Sequence, residues 1–226
     1  MSWFFRFLSS SLGQKLIMSL TGLFLISFLL VHLAGNFQLL KNDGGEAFNT
    51  YAEFMTTNPI IFAISIGLYT FILLHAIQGV FIAIKNRKAK GSKYAVSTTE
   101  NASFASKNMA ILGVLVFAFL LIHMGDFWLK MKMGKLSMAE YSGYDHAVND
   151  LYERVSIAFK VLWIVIVYVI GQIALAFHLW HGFSSAFQTL GLNHKKYTPI
   201  ISFIGKSYSI LIPLGFALIP ILMYLK

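Results

Sequence analysis

Charged residues divide this chain into five apolar stretches, each long enough to cross a bilayer. A spanning helix takes about 20 apolar residues at about 1.5 Å each. The first stretch lies between Lys15 and Lys41. The second lies between Glu53 and Lys85, with its start placed near Pro59, a residue tolerated in a helix's first turn. The third runs from about Ser103 to Trp128, the fourth from near Arg154 to near Gly191, and the fifth from about Pro199 to Tyr224. Pro213 and Pro220 are expected to bend the fifth, and Lys206 sits close enough to its end to snorkel. Only 12% of the residues are charged, where a soluble domain carries about 25%. The expected fold is therefore an all-α integral membrane protein, with residues 1–226 forming one transmembrane domain and no linker. A soluble binding module is excluded.

The net charge of +9 raises the question of nucleic acid. The basic residues sit at the ends of the apolar runs, however, which is the pattern of membrane topology and argues for no nucleic-acid partner. Arg6 and Lys15, then Lys85, Arg87, Lys88, Lys90, Lys93 and Lys107, then His194, Lys195 and Lys196 fall on one side. That side is expected to be cytoplasmic. The opposite loops hold Asp43, Glu46 and Glu53, then Glu140, Asp145, Asp150 and Glu153. The N-terminus is thus expected inside and the C-terminus outside. The loop from about Leu129 to Glu153 has room for a short interfacial helix. The opening Met1-Ser-Trp-Phe-Phe-Arg-Phe-Leu shows no cleavage signature and reads as a short amphipathic lead-in. The basic run from Lys85 to Lys93 also suits anionic lipid or a docked partner.

Four of the stretches carry a histidine deep in their apolar interior: His32, His75, His123 and His178, with His181 one turn on. An ionisable ring inside a span marks a pathway or a cofactor. His32 and His123 lie 17 and 16 residues beyond Lys15 and Lys107, roughly 25 Å from the inner face. His75 lies 10 residues before Lys85, roughly 15 Å from that face. His178 falls at roughly 20 Å and His181 at roughly 15 Å. The result is an outer pair, His32 with His123, and an inner pair, His75 with His178 or His181. Each pair draws on two helices, as a bis-histidine haem does within a four-helix bundle. Zinc would take three or four ligands at one level. Depth prefers His181 for the inner pair. Pattern prefers His178, because His75-Ala-Ile-Gln-Gly79 and His178-Leu-Trp-His-Gly182 share a glycine one turn on, where a flat macrocycle needs room. With no cysteine, the chain cannot itself hold an iron–sulfur cluster or attach haem through a C-x-x-C-H site.

Blander readings compete. A lone membrane histidine is often an interhelical hydrogen-bonding group, and it is the joint pattern of level pairs that favours iron. His146 and His194 read as solvated loop residues, and Asp126 as interfacial. Gly22, Gly35, Gly67 and Gly113 read as close-packing positions, while Gly79 and Gly182 are tied to the porphyrin. Ser19 and Thr21, one-third of the way up the first stretch, are candidates for contacts with the inner haem's propionates. Asn36, Gln38, Glu53 and Asp126 form a candidate polar cluster near the outer pair, with Glu53 the candidate for proton exchange with a quinone.

Read together, Ser19-Leu-Thr-Gly22 ahead of His32-Leu-Ala-Gly-Asn36, then His75-Ala-Ile-Gln-Gly79, His123-Met-Gly-Asp126 and Phe177-His-Leu-Trp-His-Gly182 resemble a known family. This is the five-helix, di-haem cytochrome b membrane anchor of succinate dehydrogenase and fumarate reductase. The resemblance implies two haem b groups, His32 pairing with His123 and His75 with His178, and it favours His178 over His181. It further implies a flavoprotein subunit, an iron–sulfur subunit docked on the cytoplasmic side, and a quinone partner, menaquinone more often than ubiquinone. The setting is a bacterial-type cytoplasmic membrane. Ala176 stands where some relatives carry a carboxylate for proton movement, which counts against that route here. Two alternatives stay open: a cytochrome b anchor of another respiratory enzyme, such as a hydrogenase or formate dehydrogenase, or a histidine-dependent proton or metal-ion transporter.

Overall fold

The computed structural model describes residues 3–89 and 104–226. Lys90, Lys93 and the start of the third stretch at Ser103 lie outside the described residues. A short α1 (Trp3–Ser9) precedes α2 (Ser11–Asn36), which ends in a 3-10 turn (Phe37–Leu40). Ser10 caps α2 by accepting from the amide of Gly13 at 3.1 Å. A side chain on Gly13 would collide with the carbonyl of Phe7, so only glycine lets α1 fold this closely over α2. Next come α3 (Glu46–Thr57) and α4 (Pro59–Ala89). After the undescribed residues follow α5 (Phe104–Lys107), α6 (Met109–His123), one π-helical turn (Met124–Trp128) and α7 (Leu129–Lys132). A two-residue antiparallel pair, β1 (Met138–Ala139) with β2 (Val148–Asn149), leads to α8 (Leu151–Phe159). The chain closes with α9 (Leu162–Thr189) and α10 (Thr198–Leu225).

Five of these segments are long and apolar enough to span a bilayer: Ser11–Leu40, Pro59–Lys88, Met109–Lys132, Leu162–Thr189 and Thr198–Leu225. The chain is an all-α membrane protein. Its exterior is the reverse of a soluble protein's: Ile60, Phe62, Ile66, Phe81, Ile111 and Phe203 all point outward. Surfaces of that kind belong in hydrocarbon.

The first four spans form a square. Helix α2 neighbours α4 and α9, and α6 neighbours the same two, so α2 faces α6 and α4 faces α9 across the diagonals. Helix α10 packs outside, mainly along α9 and also against α2, where the Tyr208 hydroxyl donates to the carbonyl of Ile26. It runs unbroken through Pro213 and Pro220, both buried. Lys85 donates to Ser11 Oγ at 3.0 Å, bringing the start of α2 and the end of α4 to one end of the bundle. Lys226 donates to the carbonyls of Leu40 and Lys41 at 3.3 Å, which puts the C-terminus at the other.

That other end carries a cap that the apolar stretches do not announce. The fourth stretch does not run from Arg154 as expected: α8 stops at Phe159 and α9 starts at Leu162, with Val161 extended between them. Glu153, Arg154 and Lys160 keep α8 in the polar interface, while Val155, Ala158 and Phe159 bury its other face. The first outer loop likewise contains α3. Asn49 ties these pieces together at 1% exposure. Its amide donates to Tyr141 Oη at 2.7 Å and to Asp150 Oδ1 at 2.8 Å, and its carbonyl accepts from the Tyr152 amide at 2.8 Å. Much of the tightly packed core lies here, around Leu33, Phe127, Phe159, Tyr168 and Ile219.

Candidate haem centre

Helix α2 carries His32 into the square from one corner, and α6 carries His123 from the opposite corner. Their ring centroids stand 5.7 Å apart. On the other diagonal, His75 of α4 faces His178 of α9 at 6.2 Å. Two imidazoles bound to one metal at about 2 Å each hold their centroids about 6 Å apart. Both pairs therefore stand at the separation that a shared iron requires. The structure brings His32 to His123, the pair that depth set level, and places His178, which pattern favoured, rather than His181, which depth favoured, in ring contact with His75. Among the described residues no group of three or more His, Cys, Asp or Glu side chains is arranged to hold a metal ion.

The vertical spacing follows from the glycines. A Cβ on Gly22 would sit 3.2 Å from His75 Cε1, so Gly22 marks the height of the inner pair on α2. His32 lies 10 residues further along the same helix, about 15 Å higher. Helix α6 repeats this: a Cβ on Gly113 would sit 3.8 Å from His178 Cε1, and His123 again lies 10 residues on.

Each ring's Nδ1 has its own surroundings. The Thr21 hydroxyl donates to the carbonyl of Ile17 at 2.8 Å, so toward His75 Nδ1, at 3.2 Å, it acts as acceptor. With the ring proton on Nδ1 facing this acceptor, Nε2 of His75 would keep a lone pair for a metal. Asn36 stands 3.4 Å from His32 Nδ1 and donates to the His32 carbonyl at 2.8 Å. The Tyr168 hydroxyl lies 3.5 Å from His123 Nδ1. His178 Nδ1 is buried with no hydrogen-bond partner. An unsatisfied buried imidazole is costly, and metal ligation at the ring is one way such a cost is offset. The residues present fit a pair of bis-histidine haems.

The other expected site residues take the following places in the bundle. Thr21 bonds to the His75 ring, while Ser19 returns its hydroxyl to the carbonyl of Lys15 at 2.9 Å; both are buried within the bundle. Gly79 and Gly182 do not lie against a histidine. A Cβ added to either would instead meet a methionine methyl, that of Met18 at 3.5 Å or that of Met109 at 3.7 Å. The glycines against the rings are Gly22 and Gly113. A signal for them was present: Met18, Gly22 and His32 have the same spacing as Met109, Gly113 and His123.

At the capped end, Asp126 accepts from Lys130 Nζ at 2.6 Å and pairs with the guanidinium of Arg154. It is an interfacial carboxylate with two cationic partners. Gln38 sits in the 3-10 turn after α2. Glu53 lies 3.8 Å from His146 Nε2, and the Asp145 carboxylate, bonded at 2.7 Å, raises the basicity of that imidazole above its ordinary value. His146 is thus engaged with two carboxylates rather than merely solvated.

No protein-family model matches the chain, and no solved structure matches it. A curated relative does. The succinate dehydrogenase cytochrome b558 subunit of Bacillus subtilis (strain 168) is 27% identical over 214 residues, covering 91% of this chain and 92% of the relative. With five spans and two facing imidazole pairs, the chain is similar along most of its length to that succinate dehydrogenase cytochrome b subunit.

Proposed function

We propose that the chain anchors a succinate dehydrogenase or fumarate reductase complex in the membrane and relays electrons between its iron–sulfur subunit and a quinone. Two haem b groups would be held, one by His32 and His123, the other by His75 and His178. The carrying observation is that two imidazole pairs face each other across both diagonals of one bundle, at two heights.

When bound, each haem supplies a reversible one-electron step. The chain's own residues do the rest. Helices α2, α4, α6 and α9 bring the four rings to the bundle axis. Thr21 fixes the tautomer of His75. Surrounding apolar side chains exclude water, and the spacing of about 15 Å leads from the inner site toward the capped end. Glu53, in α3 at that end, would exchange protons with a quinone and the outer water. A flavoprotein subunit would carry the dicarboxylate site, since nothing in these spans resembles one.

The test is spectroscopic. The purified wild-type chain is expected to hold two haems per polypeptide and show a sharp reduced α-band. His32→Ala and His123→Ala should each lose the same haem, and His75→Ala and His178→Ala the other. His181→Ala should lose neither. Colourless material, or four variants that do not sort into these two classes, would overturn the reading.

A further inference from the structure

At the end of the bundle opposite the cap, residues 190–197 turn the chain from α9 into α10. An open cleft of about 620 Å³ lies at this turn, lined by Asn193, Lys195, Thr198, Pro199 and Ser202. Lys206 stands one turn beyond Ser202 on the same face of α10. We propose that this corner binds the headgroup of an anionic phospholipid from the surrounding leaflet, its phosphate held between Lys195 and Lys206. Neither haem nor quinone has a part in it, so its failure would leave the electron-transfer role untouched.

The need for an anion comes from Lys206. It lies eight residues past the start of α10, about 12 Å into the span, and its side chain is exposed. An ammonium at that depth is costly unless something matches its charge. No carboxylate does: among the described residues every Asp and Glu lies at the capped end. The ammonium instead stands 5.8 Å from the ring centroid of Trp180 on α9, itself 40% exposed. That contact steadies the charge without cancelling it. Helical side chains tilt toward the first residue of their helix, so Lys206 leans toward Ser202 and the cleft, and its stem can carry the ammonium further that way.

The cleft supplies the other half of the site. The Thr198 hydroxyl accepts from the His194 amide at 3.0 Å and donates to Asn193 Oδ1 at 2.8 Å, which closes the turn on itself and sets Lys195 at the rim. Ser202, one turn before Lys206, adds a hydroxyl donor. Lys196 is turned elsewhere, 5.7 Å from the Tyr197 ring centroid. Deeper in the span, Phe177 and Ile210 are exposed one turn past Trp180 and Lys206, and they give acyl chains an apolar track. Basic pockets between spans recognise anionic headgroups in this way. An acidic surface on a water-soluble subunit would reach Lys195 but not Lys206, about 12 Å down among lipid-facing side chains.

The experiment uses the intact complex in discs of dioleoylphosphatidylcholine, titrated with dioleoylphosphatidylglycerol. Lipid that stays bound after mild delipidation is identified by mass spectrometry, and the titration gives the Kd of the anionic lipid. The wild type should retain phosphatidylglycerol in preference to phosphatidylcholine. Lys206→Gln and Lys195→Gln should each raise the Kd about fivefold. Lys206→Arg should stay near the wild-type value and Lys196→Gln should leave it unchanged, with the same helical circular dichroism in every variant. Equal affinity for the two lipids, or an unchanged Kd in both glutamine variants, would overturn the proposal. So would displacement of the lipid by inorganic phosphate at matched concentration, because the cleft would then read phosphate alone. Shielding of Lys195 from acylation by the partner subunits, in discs free of anionic lipid, would give the cleft to a protein instead and overturn it too. If Lys206→Gln fails to assemble, Lys195→Gln decides alone, because it changes an exposed residue of the turn.

Discussion

Thr21 gives its own proton to a backbone carbonyl, and that small fact sets what it can do for His75. A hydroxyl that only accepts draws the imidazole toward imidazolate character and favours the oxidised form of a bound iron. Thr21→Val keeps the shape and removes the acceptor. One hydrogen bond is worth about 1 kcal/mol, on the order of 50 mV for one electron. The inner haem's midpoint potential is expected to rise by that amount in a redox titration, with the outer haem unmoved. No shift, or an equal shift of both, would remove Thr21 from this role. Sequence pointed to Thr21 but for a different duty, because depth along a helix is readable from residue count while the direction of a hydroxyl depends on which carbonyl lies one turn back. The level of His32 with His123 was legible for the same reason, since a rise of about 1.5 Å per residue lets heights be compared across helices, whereas between His178 and His181 that count pointed to the ring that the structure does not set against His75.

At the scale of elements, charges mark the ends of apolar runs but not the ends of helices. Glu53 and Arg154 were natural boundaries for spans, yet both fall inside separate helices, α3 and α8, that lie across the end of the bundle. Neither is long enough or apolar enough to span. Asn49 joins them through three bonds at 2.7 to 2.8 Å. Asn49→Ala would strand the Tyr152 amide and take one of its donors from the Asp150 carboxylate, which keeps the Glu153 amide, at a cost of about 2 kcal/mol. Thermal melts should show the loss, and proteolysis should begin in residues 137–150 before any span is cut. The glycines show the other limit of sequence. Which glycine faces which ring depends on which helix lies opposite, and that is a property of the square. Gly113→Leu would drive a branched side chain toward His178 Cε1. It is expected to lower the yield of the inner haem severalfold while the outer haem loads normally; Gly125→Ala, which meets open space, should leave both unchanged.

Across the whole molecule, acid is confined to one end. Among the described residues, Asp43, Glu46, Glu53, Asp126, Glu140, Asp145, Asp150 and Glu153 all lie at the His32/His123 end. Arg6, Lys15, Lys85, Arg87, Lys88 and Lys107 lie at the other. Cytoplasmic loops are the ones rich in Lys and Arg. A periplasm-dependent reporter fused after Lys226 should therefore be active, and the same reporter placed after the second span should be silent. The reverse result would invert the electron path relative to the membrane.

The repeated Met–Gly–His spacing on α2 and α6 has a consequence for assembly. Residues up to 89 own one imidazole of each facing pair, and residues from 104 own the other. Either fragment by itself would lack a native partner for every ring it carries. Pigment would then be a property of the reunited halves, so a gene severed between the second and third spans should yield red membranes only when both products are made in the same cell.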